Sequence, residues 1–479
     1  MTLLLSRRTL LAGALLLAPP ALLPGCAAAP TGPSGSGGAT RPAAGRTNTA
    51  AADGEAEVIV IGAGAAGLAA ARRLSDAGKR VIVLEARDRI GGRVWSSREL
   101  DGLALDLGAS WVHGASGNPI AELARRFKVQ TATTDYDSLW RYNPDGSELS
   151  DADDEAVDNL FERVMAQVET QREDAGDDGP LLAAIERARA AQGLDARRRR
   201  MLEYAIVTTV EHEYAADAGQ LSLLHWDQGA ELRGGDLVFP GGYDQVFTPL
   251  ARGLDIRLGQ RVQQVELAGD GVRVVASGGV FRAERAVITL PLGVLQSDAV
   301  AFDPPLPAAK RAAIRRLGMG LLNKLYLRFP RAFWPAEPHM LGYINERRGE
   351  WAEWLNIRKY TGQPVLLGFN AGGVARRFEE LRDEQVVDSA LAVLRRIYGA
   401  RIPDPQGYLL TRWAADPFAR GSYSFLAPGA TPRDYDTLAE SVAGRLFFAG
   451  EATSRDSAAS VHGAFRSGER AAEEVRSKK

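Results

Sequence analysis

Residues 57–85 constrain this 479-residue chain more than any other stretch. Glu57-Val58-Ile59-Val60-Ile61 is a short apolar run of the kind that forms a strand buried on both faces. Gly62-Ala63-Gly64-Ala65-Ala66-Gly67 follows at once. Residues 68–77 carry helical patterning that ends at Gly78, and residues 80–84 make a second apolar run ending on Glu85. Strand, glycine turn, helix, strand and acid, in that order, describe a unit that binds a dinucleotide. Gly62 permits the tight turn, Gly64 lets a pyrophosphate approach the backbone, and Gly67 lets helix and strand pack closely. The helix N-terminus faces the phosphates, and Glu85 is placed to accept hydrogen bonds from ribose hydroxyls. A glycine turn alone is a weak signal; the elements around it complete the unit. The unit by itself does not separate NAD from FAD.

The chain is too long for one hydrophobic core, which predicts two domains. A formal net charge of -2 excludes a global basic field for nucleic acid. Residues 135–158 are strongly acidic, with only Arg141 against them. The simpler expectation is a solvated acidic loop; the alternative is a negative surface that attracts a cationic substrate. Cys26 is the sole cysteine, so the folded part has no disulfide, thiolate metal site or cysteine nucleophile. His113, His212, His225, His339 and His462 form no metal-binding pair, and no metal is predicted.

The N-terminus reads as an export address. Ser6-Arg7-Arg8-Thr9-Leu10-Leu11 is a twin-arginine sequence before an apolar run at 10–18, which is too short to span a bilayer. A twin-arginine route suits a protein that acquires its cofactor before export. Leu22-Leu23-Pro24-Gly25-Cys26 leaves two readings open: a lipid anchor at Cys26, or a lone cysteine in a discarded signal. Residues 27–55 have the composition of a flexible tether. The expected location is periplasmic, membrane-anchored or secreted.

Arg87-Asp88-Arg89-Ile90-Gly91-Gly92-Arg93 continues directly from Glu85. Together these stretches resemble the flavin-containing amine oxidase superfamily, whose second signature is such a Gly-Gly-Arg turn beside the FAD pyrophosphate. The resemblance extends from Val58 to Val475. Leu107-Gly108-Ala109-Ser110-Trp111-Val112-His113-Gly114 resembles the segment that passes the flavin in polyamine oxidases. Residues 221–227 and Phe239-Pro240-Gly241-Gly242-Tyr243 are similar to polyamine oxidases and lysine-specific histone demethylases, as is Asp416-Pro417-Phe418-Ala419-Arg420-Gly421-Ser422-Tyr423-Ser424. The implied fold is α/β, α+β overall: a Rossmann-like FAD-binding domain from 56–115, 236–296 and 433–476, interleaved with a substrate domain of mixed sheet and helices from 116–235 and 297–432.

The resemblance also implies roles. Gly62, Gly64, Ala66, Gly67, Glu85, Ala86, Arg87, Gly92 and Arg93 would hold the adenosine and pyrophosphate, with Val262 at the adenine. Ser110, Trp111 and Trp413 would lie by the flavin, with Glu451 at the ribityl chain. Ser460 and Val461 open the last helix, whose N-terminal dipole would meet the negative charge of reduced flavin. Lys324 matches a lysine that holds a water near flavin N5, and Tyr423 matches an aromatic wall against the substrate nitrogen. Substrate contacts would come from His113, Glu213, Tyr423 and Ser460, the last where many relatives carry a second tyrosine. His113 stands where polyamine oxidases place a group that manages a distant substrate nitrogen; the other reading is a satisfied hydrogen-bonding residue. Ser422 occupies the position of the cysteine that tethers FAD in monoamine oxidases, so non-covalent FAD is expected. The implied reaction is amine oxidation by hydride transfer to N5, with imine hydrolysis and reoxidation by oxygen to hydrogen peroxide. Polyamines are the favoured substrates. An L-amino-acid oxidase, or a flavin-bearing binding or assembly partner without turnover, are the alternatives. No nucleic-acid partner is expected.

Overall fold

The structure is a computed structural model and describes residues 54–478. The export signal, Cys26 and all but the end of the tether lie outside the described residues. The first strand, Gly54–Ile61, starts slightly before the expected boundary at 56.

An eight-stranded sheet is built around that strand. It pairs in parallel with Val81–Leu84 on one side and Gly279–Ile288 on the other. Leu446–Phe448 and Asp255–Arg257 join in parallel further out. Two antiparallel steps then carry the sheet through Gly271–Ala276 to Val262–Ala268. The central stretches 58–61, 81–84 and 286–288 are apolar at every position because both faces are covered. Val58, Val60, Val83, Val287 and Phe447 face one core, completed by Leu68, Leu74 and Val475 of the helices Ala65–Asp76 and Val461–Ser477. Ile59, Ile61, Ile82, Leu84, Ile288 and Phe448 face the other. The 180° alternation of a strand therefore sorts one apolar run into two cores.

A six-stranded sheet runs in the order Gly407–Leu410, Leu322–Arg328, Val365–Ala371, Glu353–Asn356, Met340–Tyr343, Leu139–Tyr142. All its pairs are antiparallel except the last. A three-stranded sheet places Asp236–Val238 between Trp111–Val112 and Ala132–Thr134. The segment 116–235 is therefore not purely helical: it lends one strand to each of these sheets. As expected, Asn118 caps the helix Pro119–Phe127, its side chain accepting from Ile120 N at 3.0 Å.

The acidic stretch departs from the expected loop. Its second half forms the first turns of a helix, Asp151–Glu173, capped by Ser150. Asp151, Asp153 and Asp154 sit where the helix dipole favours negative charge. Val157, Leu160, Val164 and Val168 bury one face at helical spacing. The buried guanidinium of Arg141 meets Asp154 at 2.8 Å and Asp158 at 2.7 Å. Part of the negative charge is thus committed internally. Among the described residues, no helix is long and apolar enough to cross a membrane.

Candidate active site

The glycine turn after Gly54–Ile61 and the Gly91-Gly92 turn pack backbone to backbone. Gly64 and Gly91 form a parallel bridge, and Gly91 N donates to Ala63 O at 2.8 Å. Gly62 has φ +103°, a conformation that side chains disfavour. A Cβ on Gly67 would lie 1.9 Å from Gly62 O, so helix and strand approach as closely as the sequence implied. A Cβ on Gly64 would meet nothing closer than Gly91 O at 3.8 Å. The protein itself leaves room there. No side chain caps the helix Ala65–Asp76, whose first turn, including Ala66, carries no acid. Its leading N–H groups are thus suited to an anion.

Glu85 is buried; one oxygen accepts from Ala63 N at 2.7 Å and the other from Arg87 N at 2.9 Å. Each oxygen retains a lone pair for a ribose hydroxyl. Gln260 N donates to Glu85 O at 2.7 Å and Gly259 N to Arg87 O at 2.9 Å, tying the segment just before buried Val262 to the Glu85–Arg87 turn. Val262–Ala268 is an interior strand, between Gly271–Ala276 and Ala301–Asp303. Uncapped helix, open glycine cradle and buried acid all fit a dinucleotide. Arg89 fits it too: its Nη2 is buried without a partner among the protein groups, and burial lowers its pKa to about 10.

The second centre joins the two ends of the chain. Arg93 Nη1 meets Glu451 Oε1 at 2.9 Å and donates to Ser422 O at 2.9 Å. Glu451 Oε2 accepts from Ser424 Oγ at 2.6 Å and from Ala459 N at 3.1 Å. Both neighbours of Tyr423 are therefore bound to the Arg93–Glu451 pair. The Tyr423 hydroxyl donates to His212 O at 2.8 Å. His212 follows a π-helical turn, Val207–Glu211, whose wider helix displaces the next residues; such turns recur at functional sites. Glu213, half-buried, lies one residue further on.

Lys324 lies on Leu322–Arg328 and is buried, not solvated as strand lysines usually are. Its Nζ donates to Asp106 O at 2.9 Å, Gly108 O at 2.5 Å and Ser110 Oγ at 2.5 Å, and lies 5.8 Å over the Trp111 ring. Burial lowers its pKa, opposed by the Asp106 carboxylate. Burial raises that of Asp106, opposed by its bonds from Ser96 and Tyr243 N. Asn323 pins the neighbouring backbone: its Oδ1 accepts from Trp413 N at 3.1 Å and from Thr411 Oγ1 at 3.0 Å, while Lys324 N donates to Thr411 Oγ1 at 2.8 Å. Trp413 is buried edge-on to Trp95 and donates to Leu107 O at 3.2 Å.

Residues 65–476 match the family described as flavin containing amine oxidoreductase. The chain belongs to that family. It is 38% identical over 440 residues to polyamine oxidase 4 of Oryza sativa subsp. japonica, covering 88% of each chain. It is 40% identical over 435 residues to lysine-specific histone demethylase 1 homolog 3 of Oryza sativa subsp. indica, covering 87% of this chain and 54% of that one. The chain thus spans about half the length of these demethylase homologues. Wild-type putrescine oxidase bound to putrescine shares the fold, with a TM-score of 0.72 at 22% identity, covering 88% of this chain and 99% of that one.

FAD is the cofactor of this family, and the cradle described above fits it. Some expected contacts take other partners. The Arg87 guanidinium is held by Asp416 at 2.8 and 2.9 Å and stacks 5.3 Å from Phe418, so it ties the FAD turn to the Tyr423 segment. Ser460 caps the helix Val461–Ser477: its Oγ accepts from Gly463 N at 3.0 Å and donates to Ser457 O at 2.7 Å. Its side chain is committed to the helix, and Val461 is the first helical residue. Ser422 Oγ donates to Leu322 O at 3.0 Å and accepts from Leu322 N at 2.9 Å, beside the strand of Lys324. The sequence assigned no role to Asp106 or Asp236, nor to Asp416 and Ser424 at the two ends of their motif. Asp106, Asp236 and Ser424 sit at the ends of strands of two or three residues, too short to carry a periodic signal, and each of the four finds its partner only in three dimensions.

Proposed function

We propose that the chain is an FAD-dependent amine oxidase acting on polyamine-like substrates, with dioxygen as electron acceptor. Bound in the cradle of Gly62, Gly64, Gly67 and Glu85, FAD would supply a hydride acceptor for the carbon bearing the amine nitrogen; dioxygen would take up the two electrons to give hydrogen peroxide, and water would hydrolyse the imine. The observation that carries this reading is the clamp on Tyr423: Arg93 holds Ser422 O, and Glu451 holds Ser424, with the aromatic residue between them.

The chain's own residues would act mainly by placement and desolvation. Tyr423 presents an aromatic face to the amine, which must be neutral to react, and its hydroxyl bond to His212 O fixes the ring. Lys324 with Ser110 would assist reoxidation. His113 and Glu213 would contact the remainder of the substrate. Ser422 in place of a thiol supports non-covalent FAD.

We further propose the interleaved domain boundaries given above, and export by a twin-arginine signal to the periplasm, from residues 1–26. The test is a peroxide assay over polyamines, monoamines and L-amino acids, with anaerobic bleaching of the flavin by the same compounds. Bleaching by polyamines is expected. A flavin that no amine bleaches would leave a binding or assembly role, and bleaching by L-amino acids alone would move the substrate class.

A further inference from the structure

Arg87 and Arg93 stand at the two ends of the stretch that carries Gly91-Gly92, and each reaches into the loop 416–423. Arg87 Nη1 and Nη2 meet Asp416 Oδ2 and Oδ1 at 2.8 and 2.9 Å. Arg93 Nη1 donates to Ser422 O at 2.9 Å. Both links span 329 residues, so 87–93 and 416–422 lie side by side and run in the same direction. The cofactor turn therefore grips the loop at both ends, and Tyr423 comes directly after the second grip.

Local preference alone does not give the loop this shape. Arg420 has φ +55°, a left-handed conformation that side chains disfavour. At the Tyr423 end, Ser422 N donates to Gly320 O at 2.7 Å and Gly320 N to Tyr423 O at 2.8 Å. At the other end the fixing falls to Asp416. Its carbonyl accepts from Arg420 N at 2.9 Å, and its Oδ1 accepts from Phe418 N at 2.8 Å. The Phe418 ring lies 5.3 Å from the Arg87 guanidinium. The Arg87 and Asp416 side chains are 12% and 16% exposed. A pair this dry contributes little net stability, because desolvation offsets the attraction. What the two-bonded fork supplies is geometry, since it admits one relative placement of the two groups. Arg87 N also donates to Glu85 Oε1 at 2.9 Å, so the residue that holds the loop orders the buried acid of the cradle as well.

We infer that Asp416 is a positioning residue that joins the cofactor cradle to the aromatic wall. Through Arg87 it steadies the Glu85 side of the cradle, and through its own loop it sets where Tyr423 stands. This rests on the amine-oxidase reading above and adds how the cofactor turn places the substrate wall.

The test uses the FAD-loaded full chain, wild type and Asp416→Asn, each with Tyr423 and with Tyr423→Ala. Asparagine keeps an acceptor for Phe418 N and removes the charge that faces Arg87. Anaerobic stopped-flow with an amine that bleaches the wild type gives the limiting rate of flavin reduction. Asp416→Asn should lower it roughly 10- to 100-fold, the scale of a group misplaced by about 1 Å. Together with Tyr423→Ala the same change should cost less than about 3-fold, since no wall remains to be misplaced. The chain has 12 tyrosines, so fluorotyrosine labelling gives a fluorine spectrum in which Tyr423 is assigned by its loss in Tyr423→Phe. The Tyr423 signal should move in Asp416→Asn with no amine present. An unmoved signal with a wild-type reduction rate overturns the inference. Equal losses with and without the Tyr423 ring overturn it too, because they mark a general structural effect. If Asp416→Asn does not fold, Arg87→Lys decides by the same two readings, since it keeps the charge and loses the fork. A wild type that no amine bleaches overturns the amine-oxidase reading, and the fluorine spectrum then decides by itself whether Asp416 places Tyr423.

Discussion

Arg93 and Glu451 are separated by 358 residues and meet at 2.9 Å. Glu451 is almost fully buried and Arg93 largely so, at 6% and 22% side-chain exposure. The pair links the Gly91-Gly92 turn to the C-terminal end of the strand Leu446–Phe448, where open α/β sheets place their ligands. Arg93→Ala removes the cation and leaves the buried Glu451 with Ser424 and Ala459 only. The expected outcome is FAD affinity weakened by about 10- to 100-fold, the value of a charge-assisted bond. The flavin-to-protein absorbance ratio after gel filtration measures it. A variant that retains stoichiometric FAD on dilution would show the pair to be structural only.

Gly64 and Gly67 should fail differently. A Cβ at position 67 would overlap Gly62 O at 1.9 Å, whereas one at position 64 meets only Gly91 O at 3.8 Å. Gly67→Ala should therefore destabilise the protein by several kcal/mol, on the order of an overpacked core. Gly64→Ala should fold with a near-normal melting temperature yet bind FAD poorly, because the added methyl occupies the space the pyrophosphate approaches. Melting curves with and without added FAD separate the two. Equal FAD-induced stabilisation of Gly64→Ala and wild type would contradict the cradle assignment.

Tyr423 combines a ring and a hydroxyl with separate tasks. Tyr423→Phe loses the bond to His212 O and should cost about 1 kcal/mol of stability while retaining most amine turnover. Tyr423→Ala loses the wall, and kcat/KM should fall by at least about 100-fold. Steady-state kinetics of both variants decide this; comparable losses would assign the effect to the hydroxyl.

Lys324 is fully engaged with Asp106 O, Gly108 O and Ser110 Oγ. Lys324→Met keeps the length of the side chain and removes the donors. Stopped-flow traces should show flavin reoxidation slowed by about 10-fold or more and anaerobic reduction by amine little changed. Unchanged reoxidation would remove Lys324 from the oxygen step.

His462, the second residue of the helix Val461–Ser477, has a pKa lowered from 6.5 to about 4, first by burial and then by His113 and Arg466. A depressed histidine pKa means that the unfolded chain takes up the proton first as pH falls. Its contribution is complete above pH 6.5 and is lost between there and about pH 4. The full span is worth about 3 kcal/mol. His462→Gln should therefore show a smaller drop in melting temperature between pH 6.5 and 4.5 than wild type. An identical drop in both would place the acid sensitivity elsewhere.

Much of the cofactor half was legible from local chemistry. The run at 57–61, the glycines at 62, 64 and 67, and Glu85 belong to one continuous stretch, and the bonds that Glu85 accepts from Ala63 N and Arg87 N stay within residues 63–87. The Asn118 cap was legible for the same reason. The helix Asp151–Glu173 was not, because acids in its first turn resemble a solvated loop until the buried spacing of Val157, Leu160 and Val164 is weighed.

The sequence by itself determined the βαβ unit, the Gly-Gly-Arg turn and the absence of a thiol at Ser422, since each is written in adjacent residues. Tertiary structure alone decided that Arg87 answers to Asp416 and that the Asp236 carboxylate meets His113 Nδ1. Those pairings depend on strand register and on hydrogen bonds across hundreds of residues. A carboxylate's partner is chosen by whichever donor the fold brings within about 3 Å, and no local pattern encodes that distance.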